Sequence, residues 1–136
     1  MRIHSDKAGL LTVGGRDSRI TNAGYYLRKY KIDELPQLLN VFQNDMSLVG
    51  PRPEVRKYVD LYTELQKKVL FVKPGITDMA SIAYKKENEL LAGSSDPEKT
   101  YIEEIMPEKL KLNMIYIDNP GLINYLKIIF KTIFSI

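Results

Sequence analysis

Cysteine is absent from this 136-residue chain, and histidine occurs once, as His4. Without cysteine the protein can form neither disulfides nor thiolate metal sites, and a Cys-His catalytic pair is excluded as well. A single histidine cannot build a histidine metal cluster. A Ser-His pair would need His4, which lies in a terminal segment of the kind that usually frays. These absences leave carboxylates and cations as the groups to examine for chemistry.

Long hydrophobic runs are also missing. The N-terminus has no apolar run of the kind that forms a signal peptide. No stretch reaches the roughly 18–20 apolar residues that a membrane-spanning helix requires. We therefore expect that the chain as given neither enters a secretion route nor crosses a bilayer.

The composition is that of an ordinary folded protein, with 44% hydrophobic and 27% charged residues. A chain of this length can bury a real core, so we expect residues 1–136 to form a single compact domain. The pattern predicts an α+β fold, mostly helical with a small amount of β-strand. Helices are expected at 22–30 (capped by Asn22), 33–44, 54–71, 85–92, from 96 onward, 107–117 and 122–136, strands at 10–13 and 79–83, and turns at 50–53 and 73–77.

The positive charges are unevenly distributed. The formal net charge is +3, and all six arginines lie before residue 57, whereas every later cation is a lysine. Arginine is the better bidentate partner for phosphate. For any single arginine, solvated surface remains the simpler interpretation, but the clustering favours an anion site built from the first half. We expect no nucleic-acid partner, because no nucleic-acid motif is present and aromatic residues do not alternate with the basic ones.

The segment 31–54 carries the strongest chemical signal. It places two adjacent acids, Asp33 and Glu34, at the start of the helix predicted for 33–44. Adjacent acids are usually solvated surface. Here Asp33 should act as the N-cap, where the helix dipole favours a negative group. Arg28 precedes the pair, and two prolines restrict the backbone around Arg52, which reduces the entropy lost when that side chain binds an anion.

This arrangement suits phosphoryl chemistry on an anionic substrate. A carboxylate can attack phosphorus and form an acyl phosphate. A divalent cation normally neutralises diphosphate charge, and Asp33 is a hard oxygen ligand of the kind that Mg²⁺ prefers. The sequence contains no separate carboxylate cage, which is consistent with magnesium shared between protein, waters and substrate phosphates.

Three segments, 28–41, 45–53 and 73–77, resemble the bacterial sugar transferase family, the monotopic polyprenyl-phosphate phosphoglycosyl transferases. The resemblance covers nearly the whole chain. It implies transfer of a sugar-1-phosphate from a UDP-sugar to a polyprenyl phosphate with release of UMP, the first step of surface polysaccharide or glycan synthesis. It also implies that the protein is located at the cytoplasmic face of the bacterial inner membrane.

The resemblance further implies roles for individual residues. Asp33 would be the nucleophile that forms a covalent aspartyl intermediate and would also contribute to the metal site. Glu34 would position or deprotonate the attacking group and help to order Mg²⁺. Arg28 and Arg52 would bind phosphate.

The chain departs from the family pattern in three places. Family members begin with a membrane-inserted segment, and this chain starts about where that segment ends, so we expect a truncated form with little activity on membrane-embedded acceptor. The alternative is an inactive remnant or a membrane-associated assembly module of the same fold. Many relatives follow the Pro-Gly-Ile-Thr motif with Gly-x-Ala-Gln-Val-Asn-Gly-Arg, where this chain has residues 78–87 beginning with Asp78. Relatives also often carry an aspartate where this chain has Asn113.

The last predicted helix, 122–136, is amphipathic. Its polar positions recur at three- and four-residue steps and form one narrow stripe. Fifteen helical residues extend roughly 22 Å, too short for a bilayer core of about 30 Å. A wide apolar face edged by lysines is typical of a helix lying in a membrane interface. Composition alone allows a core helix equally well, and the family resemblance favours the interface.

Overall fold

The computed structural model describes Leu11, Val13 and residues 20–135. Its first helix, α1, spans Asn22–Lys29. Asn22 was the predicted N-cap, but the cap is Thr21, whose hydroxyl accepts the Gly24 backbone N–H at 3.1 Å. Thr21 has the extended backbone that a cap requires, so Asn22 becomes the first residue of the helix.

The helix predicted for 33–44 is divided into two pieces. A 3₁₀ turn spans Ile32–Glu34, and helix α2 spans Gln37–Phe42. Lys31 adopts a left-handed backbone, with φ of 53°, and its carbonyl accepts the Glu34 N–H. Pro36 has no N–H to continue the turn, so the α-helix begins only after it. Asp33 therefore lies inside the 3₁₀ turn, and its prediction as a helix N-cap is wrong.

The sheet consists of two short parallel strands. Strand β1 spans Ser47–Val49 and β2 spans Gly75–Thr77, with Ser47 opposite Gly75 and Val49 opposite Thr77. The prediction of a turn at 73–77 and a strand at 79–83 is wrong, since Met79–Ala83 is helix α4. The strand predicted for 10–13 falls largely outside the described residues, and neither Leu11 nor Val13 belongs to a strand.

The two strands approach so closely that only glycine fits at their contact. A Cβ on Gly75 would lie 2.1 Å from the Gly50 nitrogen, and one on Gly50 would lie 2.6 Å from the Lys73 carbonyl oxygen. The turn after β1 folds back onto the start of β2, because the Gly75 N–H donates to the Pro51 carbonyl at 3.0 Å. The extended turn at 50–53, as predicted, is thereby fixed beside the start of α4.

The remaining elements are helical. The helix pair predicted for 54–71 and the helices near 85–92, 96 onward, 107–117 and 122–136 are present. The Asp96 side chain accepts a hydrogen bond from the Lys99 N–H and so caps its helix, and Pro97 takes the first helical position. The elements are α3 at Arg56–Val59, a 3₁₀ helix at Gln66–Phe71, α5 at Glu87–Ala92, α6 at Pro97–Thr100, a π-helical turn at Tyr101–Ile105, α7 at Met106–Asp118 and α8 at Leu122–Ser135.

The core lies among α3, the second 3₁₀ helix, α5 and the long helical run from α6 to α7. Helix α4 packs on α7, and α8 packs on both strands and α4. The predicted α+β class, mostly helical with little strand and a C-terminal helix, is confirmed. Within the described range, no helix has both the length and the apolar character needed to cross a bilayer. The buried cluster comprises Tyr58, Tyr62, Val69, Leu91, Tyr101, Ile105, Met106 and Leu110.

Candidate active site

Arg28 and Asp33 are brought together by the left-handed bend at Lys31. Arg28 lies in the last turn of α1, and Asp33 lies in the 3₁₀ turn that follows. The Arg28 Nε atom is 3.9 Å from Asp33 Oδ2, and the Asp33 side chain is 41% exposed. A positive φ at a residue other than glycine is a strained conformation that tends to occur at functional sites. The bend thus presents an accessible carboxylate beside a guanidinium group.

The second acid, Glu34, faces the second arginine. The Arg52 Nη2 atom donates to Glu34 Oε1 at 2.8 Å, and the Glu34 side chain is only 18% exposed. Arg52 comes from the turn at 50–53, far along the chain from the 3₁₀ turn. The four site residues predicted from the sequence are therefore adjacent, as two acid–arginine pairs.

Both pairs line one cavity of about 410 Å³ whose wall carries more positive than negative charge. Its wall includes five cations and three carboxylates. The arginine clustering predicts an anion site built from the first half of the chain, but Lys85, which follows α4, and Lys109, which lies in α7, also line the cavity. No sequence signal marked those lysines, because they reach the cavity only through packing. The cations are Arg28, Lys31, Arg52, Lys85 and Lys109, and the acids are Asp33, Glu34 and Glu87.

The donor set is suited to a shared magnesium ion rather than to a closed metal site. Over the residues that the structure describes, no group of three or more histidine, cysteine or acidic side chains could hold a metal ion. Mg²⁺ is commonly bound through one or two carboxylates, with waters and substrate phosphates completing the octahedron. The exposed Asp33 carboxylate, with Glu34 beside it on the cavity wall, matches that mode of binding.

Behind Arg52 lies a buried carboxylate that sequence analysis did not identify as functional. Asp78 is 2% exposed and accepts three hydrogen bonds, from the Arg52 N–H at 3.1 Å, the Asn113 side-chain amide at 3.1 Å and the Ser81 N–H. Two of the positions that depart from the family pattern, Asp78 and Asn113, are thus in direct contact. The Asn113 Oδ1 atom is buried, and no residue in the described part of the chain forms a hydrogen bond with it.

A larger cavity of about 460 Å³ adjoins the first and shares Arg52, Glu87, Asn88 and Lys109 with it. Its wall is mainly apolar and includes two buried tyrosines. The Tyr101 hydroxyl donates to Glu54 Oε2. Burial, together with the nearby Glu54 carboxylate, raises the pKa of Tyr62 to about 12. Burial and the Glu54 hydrogen bond also raise the pKa of Tyr101. Both phenols therefore stay neutral at ordinary pH.

Helix α8 contributes directly to the wall of the smaller cavity. Thr132 and Ser135 line it, and the hydroxyls of Thr77 and Thr132 lie 2.7 Å apart in a hydrogen bond. Lys85 donates to the Ser135 carbonyl. The C-terminal helix is therefore part of the candidate site as well as of the surface.

Comparison with known proteins identifies a family over the full length of the chain. The model of the bacterial sugar transferase family matches residues 1–136.

Individual relatives have names consistent with that match. The chain is 58% identical over 64 residues to the uncharacterized sugar transferase EpsL of Bacillus subtilis, an alignment covering 47% of the chain and 32% of EpsL. It is 35% identical over 136 residues, 98% of the chain and 29% of the relative, to the UDP-N-acetylgalactosamine-undecaprenyl-phosphate N-acetylgalactosaminephosphotransferase of Aeromonas hydrophila. It is 36% identical over 123 residues, 88% of the chain and 42% of the relative, to the UDP-glucose:undecaprenyl-phosphate glucose-1-phosphate transferase of Caulobacter vibrioides. The chain thus spans less than half the length of each of these relatives.

Proposed function

Because the chain belongs to the bacterial sugar transferase family, we propose that it carries the catalytic site for moving a sugar-1-phosphate from a UDP-sugar to undecaprenyl phosphate. The names of the Aeromonas and Caulobacter relatives support both substrate classes. The observation that carries the proposal is the adjacent acid pair, with Arg28 beside Asp33 and Arg52 bonded to Glu34 on one cavity. In such a cavity a nucleophile and anion-binding groups would surround the same phosphorus.

The proposed reaction has two steps. In the first, an Asp33 carboxylate oxygen attacks the β-phosphorus of the UDP-sugar, and the bond from that phosphorus to the bridging oxygen breaks, so UMP leaves with the electron pair. In the second, a phosphate oxygen of the polyprenyl phosphate attacks the same phosphorus and displaces the Asp33 carboxylate. The exposure of Asp33 supports this role, since a nucleophile must be reachable by both substrates.

The arginines would balance the charge on the diphosphate. A guanidinium group has five donor N–H groups, so Arg52 can keep its bond to Glu34 while donating to a phosphate oxygen. The Arg28 Nε atom is 3.9 Å from Asp33 Oδ2, longer than a hydrogen bond, so the Arg28 N–H groups can donate to a phosphate oxygen. The lysines on the same wall add positive charge that attracts the anionic substrate.

We further propose Mg²⁺ as the cofactor, held by Asp33 with help from Glu34. The ion would supply charge neutralisation at the diphosphate oxygens. This chain's own residues would orient that diphosphate through Arg28 and Arg52. The location that the family resemblance implies, the cytoplasmic face of the bacterial inner membrane, belongs to the same proposal, because the acceptor is a lipid phosphate.

The nucleophile can be tested on the first step alone, which needs no lipid. The 136-residue chain is incubated with Mg²⁺ and each of a panel of UDP-sugars, and its intact mass is measured after acid quenching. We expect one sugar-phosphate to be added, with stoichiometric release of UMP. Asp33→Asn should show neither adduct nor UMP, because an amide does not attack phosphorus.

Asp60→Asn provides the matched control, since Asp60 is an exposed acid that does not line the cavity. That variant should behave as wild type. An adduct that persists in Asp33→Asn would refute the nucleophile. Wild type that forms no adduct and no UMP with any sugar would favour the inactive-remnant alternative.

A further inference from the structure

We propose that Asp78 is a positioning residue that holds the Arg52 backbone in the orientation from which its side chain binds the substrate diphosphate. What Arg52 binds rests on the function proposed above, whereas its placement by Asp78 rests on geometry alone. Asp78 lies at the junction of β2 and α4, and its carboxylate is almost completely buried.

The Pro51–Arg52 peptide unit is fixed at both of its polar groups. Its carbonyl accepts the Gly75 N–H at 3.0 Å, and its N–H donates to Asp78 Oδ2 at 3.1 Å. A peptide is planar, so two opposed hydrogen bonds define the orientation of the whole plane. That plane sets the direction in which the Arg52 side chain leaves the backbone, and the side chain then extends to Glu34. Asp78 thus acts on the site without lying on its exposed wall.

Asp78 connects three parts of the fold through one carboxylate. One oxygen, Oδ1, accepts the Ser81 N–H and caps α4, and the other, Oδ2, accepts both the Arg52 N–H and the Asn113 amide. Both oxygens therefore act as acceptors, and Oδ2 is shared by two donors. The Asn113 amide turns its NH₂ group towards Asp78, and its own Oδ1 has no hydrogen-bond partner among the described residues.

Asparagine at position 78 would break this arrangement selectively. Its side chain has the same shape but one acceptor oxygen, and it faces three donors. Asparagine caps helices about as well as aspartate, so its oxygen can still serve α4. Its NH₂ group would then face the Arg52 N–H, and that hydrogen bond would be lost.

The chain offers a matched control in Asp96, which caps α6 through the Lys99 N–H and does not line either cavity. We would record two-dimensional ¹H–¹⁵N spectra and UDP–Mg²⁺ titrations of wild type, Asp78→Asn and Asp96→Asn. In Asp78→Asn we expect the Arg52 amide proton to move upfield and the UDP affinity to fall about tenfold. Asp96→Asn should leave the Arg52 amide proton shift unchanged and the UDP affinity within twofold of wild type.

A double-mutant cycle with Arg52→Ala separates positioning from general loosening of the fold. If Asp78 acts through Arg52, then adding Asp78→Asn to the Arg52→Ala variant should lower the UDP affinity less than twofold further. Equal losses with and without Arg52 would overturn the proposal, as would an unshifted Arg52 amide proton. If Asp78→Asn does not fold, Asp78→Ser replaces it, because serine retains capping ability but is too short to reach Arg52.

The two proposals fail in different ways. Wild type that does not bind UDP counts against the proposed function. In that case the Arg52 amide signal still decides whether Asp78 orients this backbone.

Discussion

At the scale of single residues, buried tyrosines combine packing with hydrogen bonding. The rings of Tyr58 and Tyr101 lie 4.9 Å apart between centroids, in the middle of the core. Tyr62 is only 7% exposed and lies near the Glu54 carboxylate, which also accepts the Tyr101 hydroxyl. A phenolate there would be poorly solvated and repelled by Glu54, so the native state favours the protonated phenol.

The raised pKa of Tyr62 predicts a loss of stability at alkaline pH. An unfolded tyrosine loses its proton near pH 10, whereas native Tyr62 keeps its proton up to about pH 12. Between these values the unfolded state binds fewer protons, so the free energy of unfolding falls as the pH rises. Urea titrations at pH values from 9 to 12 give the free energy of unfolding at each pH. Its fall with rising pH should be shallower in Tyr62→Phe than in wild type, by about 1.4 kcal/mol per pH unit.

The control for this measurement is Tyr26→Phe, since Tyr26 is a largely exposed tyrosine on α1. It should reproduce the wild-type slope. Equal slopes in wild type and Tyr62→Phe would show that Tyr62 titrates alike in the two states.

The sequence predicts which candidate site residues lie together where their geometry is local. Arg28 and Asp33 are five positions apart and meet through a single bend, and the prolines around Arg52 marked a rigid turn. Asp78 and Lys109 could not be identified in this way. They reach the site through the pairing of β2 with β1 and the packing of α4 on α7, which no local pattern encodes.

At the scale of elements, the parallel ladder depends on glycine at its tightest point. Gly75→Ala would put a Cβ 2.1 Å from the Gly50 nitrogen, so the strands must separate. Overpacking of this kind typically lowers the free energy of unfolding by about 1–3 kcal/mol. Because the same contact places the 50–53 turn, UDP affinity should fall with stability. Denaturant titration and UDP titration on the same samples check both.

Gly121→Ala is the matched control, because a Cβ at Gly121 meets no atom within 4 Å. Its free energy of unfolding should lie within about 0.5 kcal/mol of wild type. A Gly75→Ala variant as stable as this control would contradict the close approach of the strands.

Element prediction succeeded where the signals were local and failed where they were not. The start of α6 at Asp96-Pro97 could be predicted from the sequence, because the N-cap and the first helical residue are adjacent. The strands were missed because each has three residues and a partner far along the chain. The run 79–83 looked like a strand, but the capping carboxylate of Asp78 starts a helix there.

At the scale of the whole molecule, much apolar surface is exposed, and α8 carries a large part of it. Ile128 is buried against the domain, whereas Phe134 is 85% exposed. The helix therefore packs on the domain on one side, and no residue that the structure describes covers its apolar side. The packed side agrees with the core interpretation, and the interface interpretation stays a prediction. Exposed apolar patches of this extent usually mark an interaction surface. The large exposed apolar residues of α8 are Leu122, Ile123, Leu126, Phe130, Ile133 and Phe134.

We predict that this apolar side of α8 binds a membrane interface. Ile123→Glu with Phe134→Glu should reduce flotation with anionic phospholipid vesicles at least fivefold, because charges oppose insertion of an apolar face. Point variants are sharper than truncation, since removing α8 would also take Thr132 and Ser135 from the cavity wall.

Leu90→Glu supplies the control, as Leu90 is an exposed leucine on α5. It should float as wild type does. Undiminished flotation of the double variant would assign α8 to packing alone.

The two-strand ladder also implies an order of events during folding. Helices α6 and α7 form from neighbours in sequence, whereas β1 and β2 must first close the long loop between them, a slow step in any chain. The 50–53 turn is held against the start of β2, so we expect the Arg52–Glu34 pair to take its final geometry only after that closure. Partly folded chains would then lack the paired arrangement that the proposed function requires.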